Sequence, residues 1–419
     1  MAEKFLIKGG NPLSGEVEVS GYKNSAGAIL AAAMLTEEDC VIGNLPRCTD
    51  VFDQIAIIEQ MGAKIEWIDD HKIKINAKDI NPDKISFELF QKMRVSVLLI
   101  APLMARFKKF KVPHPGGDKI GLRPITIHLD ALKLFGAKIW EDGGFYHFQI
   151  PQKLQGTRVI LREFSVTATE IVMMVAAMAE GETIIETAAG EPQAQDTGLM
   201  LQKMGARVEG LGGHTIVVEG QKQLSGAEFD ICPDPLETGT FLIALALTGG
   251  QGIIKKTKPE HLTLFLEKMK DIGVNLEVSG SQIKVNSSND FAAAKIQTLP
   301  YPGFPTDLQP QTAVLLTQAQ GKSLVHEPLY ENRFQHLQEL RKMGADIEIT
   351  DPHRAIILGK TELIGTEVNA SDIRAGAALT LAGLVASGQT SINNIFQIDR
   401  GYEDFDGKLR ALGADIERI

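Results

Sequence analysis

The chain repeats one short phrase six times, and that repetition limits the folds open to it more than any other feature. MGAKIE, FGAKIW, MGARVE, IGVNLE, MGADIE and LGADIE place glycine at Gly62, Gly136, Gly205, Gly273, Gly344 and Gly413. The separations are 74, 69, 68, 71 and 69 residues, so six units of roughly 70 fill the 419 residues. Each phrase reads as a helix that ends at a glycine and enters a strand. Ahead of Gly344, Phe334, Leu337, Leu340 and Met343 recur at helical spacing. The glycine then takes a left-handed cap position that costs it little. Ile347 and Ile349 follow with the period of two that marks a strand with one buried face.

A second phrase also recurs six times, as Ala26–Leu35, Ser96–Arg106, Ala168–Ala179, Thr238–Leu247, Gln311–Gln320 and Ala375–Ala386. These stretches are apolar nearly all round, which predicts buried helices rather than surface ones. Each repeat thus supplies one buried helix, one amphipathic helix and several strands. A chain this long exceeds what one core serves, so two domains are expected. The pattern predicts an α/β fold of two pseudo-threefold domains, each packing three repeats around its buried helices.

Polar residues stand at or just before the starts of these helices: Lys23 with Asn24, Arg94, Glu237, Asp307, and Asp372 with Arg374. A helix start presents unpaired N–H groups and the positive end of the dipole, and so favours anions. If each domain aims such starts at the other, the gap becomes an anion-attracting cleft in a chain of net charge −10. A bland alternative is that Asp and Asn here simply cap their helices. The loop PHPGGDKIGLRP (113–124) carries three glycines, one acid in Asp118 and the phosphate-suited fork of Arg123. It predicts a mobile lid over residues 113–124.

Exclusions narrow the field further. No basic run suggests nucleic acid, and no apolar stretch reaches the roughly 20 residues of a membrane span. Cys40, Cys48 and Cys232 are an odd, scattered set, as expected in a reducing cytoplasm, and Met1–Lys8 lacks a signal core. Neither a phosphate-cradling GxxxxGK[ST] nor zinc-spaced Cys and His occurs. His128 and His214 read more readily as ordinary polar positions than as ligands.

Several segments then point to one family. SGYKNSAGAIL (20–30), KMRVS (92–96), PGGDKIGLRP (115–124), FPTDLQPQ (304–311), ENRFQH (331–336), DIRAG (372–376) and DRGYEDFDGKLRALGADIER (399–418) run from end to end. Together they resemble the UDP-N-acetylglucosamine 1-carboxyvinyltransferase family of enolpyruvyl transferases. That resemblance implies two inside-out α/β domains of three repeats each. They divide as 23–231, with its mobile loop, and 1–22 plus 232–419. It implies transfer of the enolpyruvyl group of phosphoenolpyruvate to the 3′-hydroxyl of UDP-N-acetylglucosamine, the committing step of peptidoglycan synthesis. A cytoplasmic monomer with two small-molecule substrates is expected, with no cofactor, metal, nucleic acid or membrane.

By the same resemblance Lys23 contacts phosphoenolpyruvate and Asn24 contacts the sugar and intermediate. Arg94, Arg123 and Arg400 match arginines for the donor's phosphate and carboxylate, and Arg374 a further cleft arginine. Asp307 matches the aspartate set against the sugar hydroxyl, a general base. Arg123, Pro124, Ile125, Thr126, Ile127 and His128 correspond to the stretch holding uridine, and Leu329 joins the substrate contacts. The catalytic set is Lys23, Asp118, Asp307 and Arg400. Synthases that use shikimate phosphate follow their lysine with serine and a nearby arginine; here Lys23 precedes Asn24.

Two positions depart from the family pattern. Asp118 stands where most members have cysteine, so thiol attachment of the donor is impossible and epoxide alkylators of that thiol should fail. As a general acid it would need desolvation, against the pull of Lys119 and Arg123; assisting product release is the alternative. Glu163 stands where many relatives carry a lysine that reaches the nucleotide pyrophosphate.

Overall fold

A computed structural model describes residues 3–118, 120–288 and 290–419, leaving Lys119 of the loop outside the described residues. The chain separates into two compact units. One contains residues 3–20, 120–122 and 233–419, and the other residues 21–118 and 123–232.

All six repeated glycines adopt positive φ, between 91° at Gly136 and 110° at Gly62. The period in the sequence is therefore a period of backbone conformation. At each of these points an amphipathic helix must stop and turn into a strand, and only glycine does so without strain.

In the first unit, helices Pro235–Leu247, Gln309–Thr317 and Ile373–Val385 touch one another and are buried along almost their whole length. Around them lie three sheets. Strand Gln389–Asn393 pairs parallel with Glu367–Asn369 and antiparallel with Phe5–Lys8, which pairs with Asp415–Arg418. Gln251–Lys255 pairs parallel with Ser14–Glu18 and antiparallel with Gln282–Val285, beside Leu276–Ser279. Ala319–His326 pairs parallel with Lys295–Gln297 and antiparallel with Arg354–Gly359, beside Asp346–Asp351. Helices fill the centre and sheets face out, the inverse of an ordinary α/β layer.

The second unit repeats the plan around helices Lys23–Ala33, Ile100–Arg106 and Val166–Ala176. Two of its sheets show the same parallel pair and antiparallel hairpin, built on Cys40–Gly43 and Glu182–Glu186. Its third sheet, Lys109–Pro113, Phe145–Gln149 and Lys138–Asp142, has no parallel lead strand among the described residues. The segment ahead of it is helix Phe87–Lys92, whose N-cap Ser86 accepts from Leu89 N–H. The expected helix over Ser96–Arg106 is split, with a 3-10 stretch at Val95–Leu99 before the α-helix. The expected helix over Gln311–Gln320 is shorter, because Ala319 already begins a strand.

Close approach at the core depends on a glycine near a helix start. A Cβ on Gly239 would stand 2.5 Å from Leu308 Cδ1, so this glycine lets the 3-10 turn Thr306–Leu308 press against helix Pro235–Leu247. That turn carries Asp307. The cysteines Cys40, Cys48 and Cys232 are buried and unbridged. No described helix is long and apolar enough to cross a membrane.

Candidate active site

The predicted residues fall into two groups, one in each unit. In the second unit Lys23 opens helix Lys23–Ala33, a start with no side-chain cap. Its Nζ lies 2.6 Å from Asp50 Oδ2, with 11% and 6% of the two side chains exposed. Asn24 donates to the Tyr22 hydroxyl at 3.1 Å. The first turn is fixed from behind by Ser25, whose hydroxyl donates to Asp196 at 2.5 Å; the same carboxylate oxygen accepts from Cys232 N–H at 3.0 Å.

Arg94 stands at the N-terminus of the 3-10 stretch and donates to Pro124 O, at the end of the expected lid, at 3.1 Å. Gly117 packs on Arg94, where a Cβ would come within 2.8 Å of Arg94 Cβ, and Asp118 follows it half-buried. Pro124 and Thr126 are exposed, Arg123 and Ile127 half-buried, and Ile125 buried, around the start of helix Thr126–Lys133. His128 is buried, 2.7 Å from Thr167 Oγ1. Burial first, and then the charges of Arg94 and Arg123, lower it to about 3. Its imidazole is therefore neutral at working pH. Glu163 is exposed ahead of helix Val166–Ala176.

In the first unit the centre of the group is Asp307. Its Oδ1 accepts from Arg333 Nη2 at 2.7 Å and its Oδ2 from Arg374 Nε at 3.1 Å. Burial pushes the carboxyl up, but Arg374 and Arg333 outweigh it and hold it well below the usual carboxylate range. The desolvation is partial, since 27% of the Asp307 side chain stays open while both arginines are almost wholly enclosed. Arg374 also lies over the Tyr402 ring, 5.2 Å from its centroid. Leu329, exposed at 38%, is tied to the same turn. The buried Glu327 accepts from Leu329 N–H and Thr298 on one oxygen and from Thr306, next to Asp307, on the other. Arg400 ends helix Phe396–Asp399 and donates to Gln397 at 2.7 Å.

The bland reading of the helix starts holds at two of them. Asp234 and Asp372 each accept two backbone N–H groups of the helix they precede, so those starts are capped by carboxylates. Glu237 is likewise engaged, by Lys408 Nζ at 2.6 Å and Ser20 N–H at 3.0 Å. The start of helix Gln309–Thr317 has no side-chain cap, and full positive charges in this unit are supplied by Arg333, Arg374 and Arg400. Residues 120–122 belong here too: Asn332 N–H donates to Ile120 O at 3.0 Å and Leu122 N–H to Glu331 Oε1 at 2.7 Å.

The family described as EPSP synthase (3-phosphoshikimate 1-carboxyvinyltransferase) is matched over residues 7–409. A UDP-N-acetylglucosamine 1-carboxyvinyltransferase of Koribacter versatilis is 43% identical over 420 residues, covering 100% of this chain and 96% of the relative. A protein of the same name from Halothermothrix orenii is 44% identical, covering 99% of both. The chain belongs to the UDP-N-acetylglucosamine 1-carboxyvinyltransferase family. Solved structures agree on the fold of this carboxyvinyltransferase chain. The enolpyruvyl transferase NikO from Streptomyces tendae superposes with a TM-score of 0.90 at 24% identity, covering 100% and 99% of the two chains. An EPSP synthase from Acinetobacter baumannii gives 0.76 at 20% identity over the whole of both.

For a carboxyvinyltransferase of this family, the residues missing from the sequence-based set are Asp50, Glu327 and Arg333. Asp50 looked like any acid in a first turn, and Glu327 like any strand-end acid. Arg333 lay inside the matched ENRFQH and could have been taken from it.

Proposed function

We propose that this chain transfers the enolpyruvyl group of phosphoenolpyruvate to the 3′-hydroxyl of UDP-N-acetylglucosamine, releasing phosphate. The observation that carries this reading is 43–44% identity over the full chain to relatives of that name. The two units are read as the two enolpyruvyl transferase domains, with residues 113–124 as the lid. It works without a partner subunit, in the cytoplasm.

The chemistry is addition followed by elimination. The sugar hydroxyl attacks C2 of phosphoenolpyruvate while C3 takes a proton; C3 then returns a proton as phosphate leaves. Lys23, Arg94, Arg123 and Arg400 hold the donor's phosphate and carboxylate and stabilise the charge that moves between them. Asn24 and Leu329 contact the sugar, and residues 123–128 hold the uracil and ribose. The neutral imidazole of His128 suits that uncharged partner. Asp118 acts in the loop as proton donor to C3.

Asp307 is the base for the sugar hydroxyl. Two guanidinium groups make it a weak base before the donor arrives. A donor bearing phosphate and carboxylate competes for Arg333 and Arg374. As their charge turns to the donor, the proton affinity of Asp307 rises when the hydroxyl must be activated. The test is phosphate release from phosphoenolpyruvate that depends on UDP-N-acetylglucosamine. Release with shikimate 3-phosphate but not with the nucleotide sugar would overturn the assignment.

A further inference from the structure

The hydroxyl of Tyr402 is shared between two of the three buried helices in the first unit. It lies 2.9 Å from Thr240 Oγ1 on helix Pro235–Leu247 and accepts from Gln311 Nε2 of helix Gln309–Thr317 at 3.2 Å. Gln311 Nε2 also reaches Thr240 Oγ1 at 3.2 Å. The ring lies under the guanidinium of Arg374 of helix Ile373–Val385, with Cζ 5.2 Å from its centroid.

The donors resolve in one way. Thr240 gives its only proton to Leu236 O at 2.8 Å, so Tyr402 donates to Thr240 and accepts from Gln311. The ring itself is buried against Phe405, centroids 4.7 Å apart. Burial raises Tyr402 above its ordinary value, against the lowering effect of Arg374, so the hydroxyl stays protonated.

We infer that Tyr402 is a positioning residue for the reaction: its hydroxyl anchors the ring to the two neighbouring helices, and the ring so held supports the guanidinium of Arg374 and, through it, Asp307. Removing the hydroxyl takes from Thr240 and Gln311 their shared partner and lets the ring shift beneath Arg374, while the core keeps its aromatic surface. This inference rests on the proposed transfer for its kinetic readout alone.

The experiment compares wild type, Tyr402→Phe, Arg374→Lys and the double variant, in phosphate release with both substrates and in thermal melting. The expected result is a kcat/KM for phosphoenolpyruvate reduced about tenfold or more in Tyr402→Phe, with little change in melting temperature. The double variant should lose little beyond Arg374→Lys, because both act through one group. Wild-type kinetics in Tyr402→Phe, or losses that multiply in the double variant, would overturn the inference. A wild-type enzyme silent with the nucleotide sugar would instead strike the acceptor assignment. Protection against melting by phosphoenolpyruvate, weaker in Tyr402→Phe than in wild type if the inference holds and equal if it fails, then decides separately.

Discussion

Arg333 donates to Asp307 across 2.7 Å from an almost fully enclosed position, and so part of the compensation for this carboxylate comes from a residue outside the predicted set. Arg333→Met should leave Asp307 with Arg374 alone. Breaking a wholly buried pair costs about 3–5 kcal/mol, and the partial exposure of Asp307 reduces that to roughly 2 kcal/mol. The freed carboxylate becomes a stronger base, yet donor binding weakens. Steady-state kinetics should show a raised KM for phosphoenolpyruvate, with the acid limb of kcat moved to higher pH. An unmoved acid limb would show that Asp307 is not the titrating base.

The pair of Lys23 and Asp50 is more deeply enclosed, and its loss is correspondingly larger. Asp50→Asn keeps the shape but leaves a buried ammonium without its counter-charge. Stability should fall by about 3 kcal/mol, read from urea unfolding followed in the unit that contains both residues. Turnover should fall at least tenfold because the helix start loses its fixed lysine. An Asn variant as stable as wild type would mean that solvent screens this pair.

Asp118→Cys tests whether the loop position is equivalent to the family's cysteine. The variant should stay active and become sensitive to an epoxide that alkylates thiols, while wild type is unaffected. Mass spectrometry should then find the adduct at position 118. An active variant that resists the epoxide would break the equivalence.

Two neutral histidines make an acid-stability prediction with a definite sign. His128 and His336 are both lowered to about 3, chiefly by burial. Between that value and the ordinary 6.5 the unfolded chain takes up protons that the folded chain refuses. Their contribution is therefore present above 6.5 and lost as pH falls toward about 3. His336→Gln should flatten the decline of melting temperature between pH 6.5 and 4; an identical decline would refute the account.

The fold was legible because its period is written in backbone requirements. Gly62 through Gly413 mark six places where no other residue turns the chain cheaply, and the buried helices betray themselves by composition. That helix Phe87–Lys92 precedes the three-stranded sheet was not legible, because the two repeated phrases say nothing of the residues between them. Lys23, Arg94, Arg374, Arg400 and Asp307 were found by motif, whereas Asp50, Glu327 and Arg333 were not. Asp50 and Glu327 differ from surface acids only through what the tertiary fold places beside them, and no local pattern records that. Asp372 shows the reverse error, since its place at a helix start suits an anion site equally well and only the hydrogen bonds reveal a cap.

Glu170 supplies a sharper case of burial deciding chemistry. It lies within helix Val166–Ala176, fully enclosed, and burial raises its carboxyl well above 4.5, with Glu191 and Asp196 adding to the rise. Its Oε1 has no hydrogen-bond partner. The folded chain therefore keeps a proton that the unfolded chain gives up. Stability from this group is fully present below 4.5 and is lost as pH rises from there through the raised folded value. Glu170→Gln retains the shape, supplies a neutral amide and removes that loss. Its melting temperature should exceed wild type at pH 8, by roughly 2–4 °C for each kcal/mol recovered, and approach it as pH falls to 4.5. A Gln variant that melts below wild type at pH 8 would mean that Glu170 is held ionised by charges the fold supplies, and the burial argument would fail.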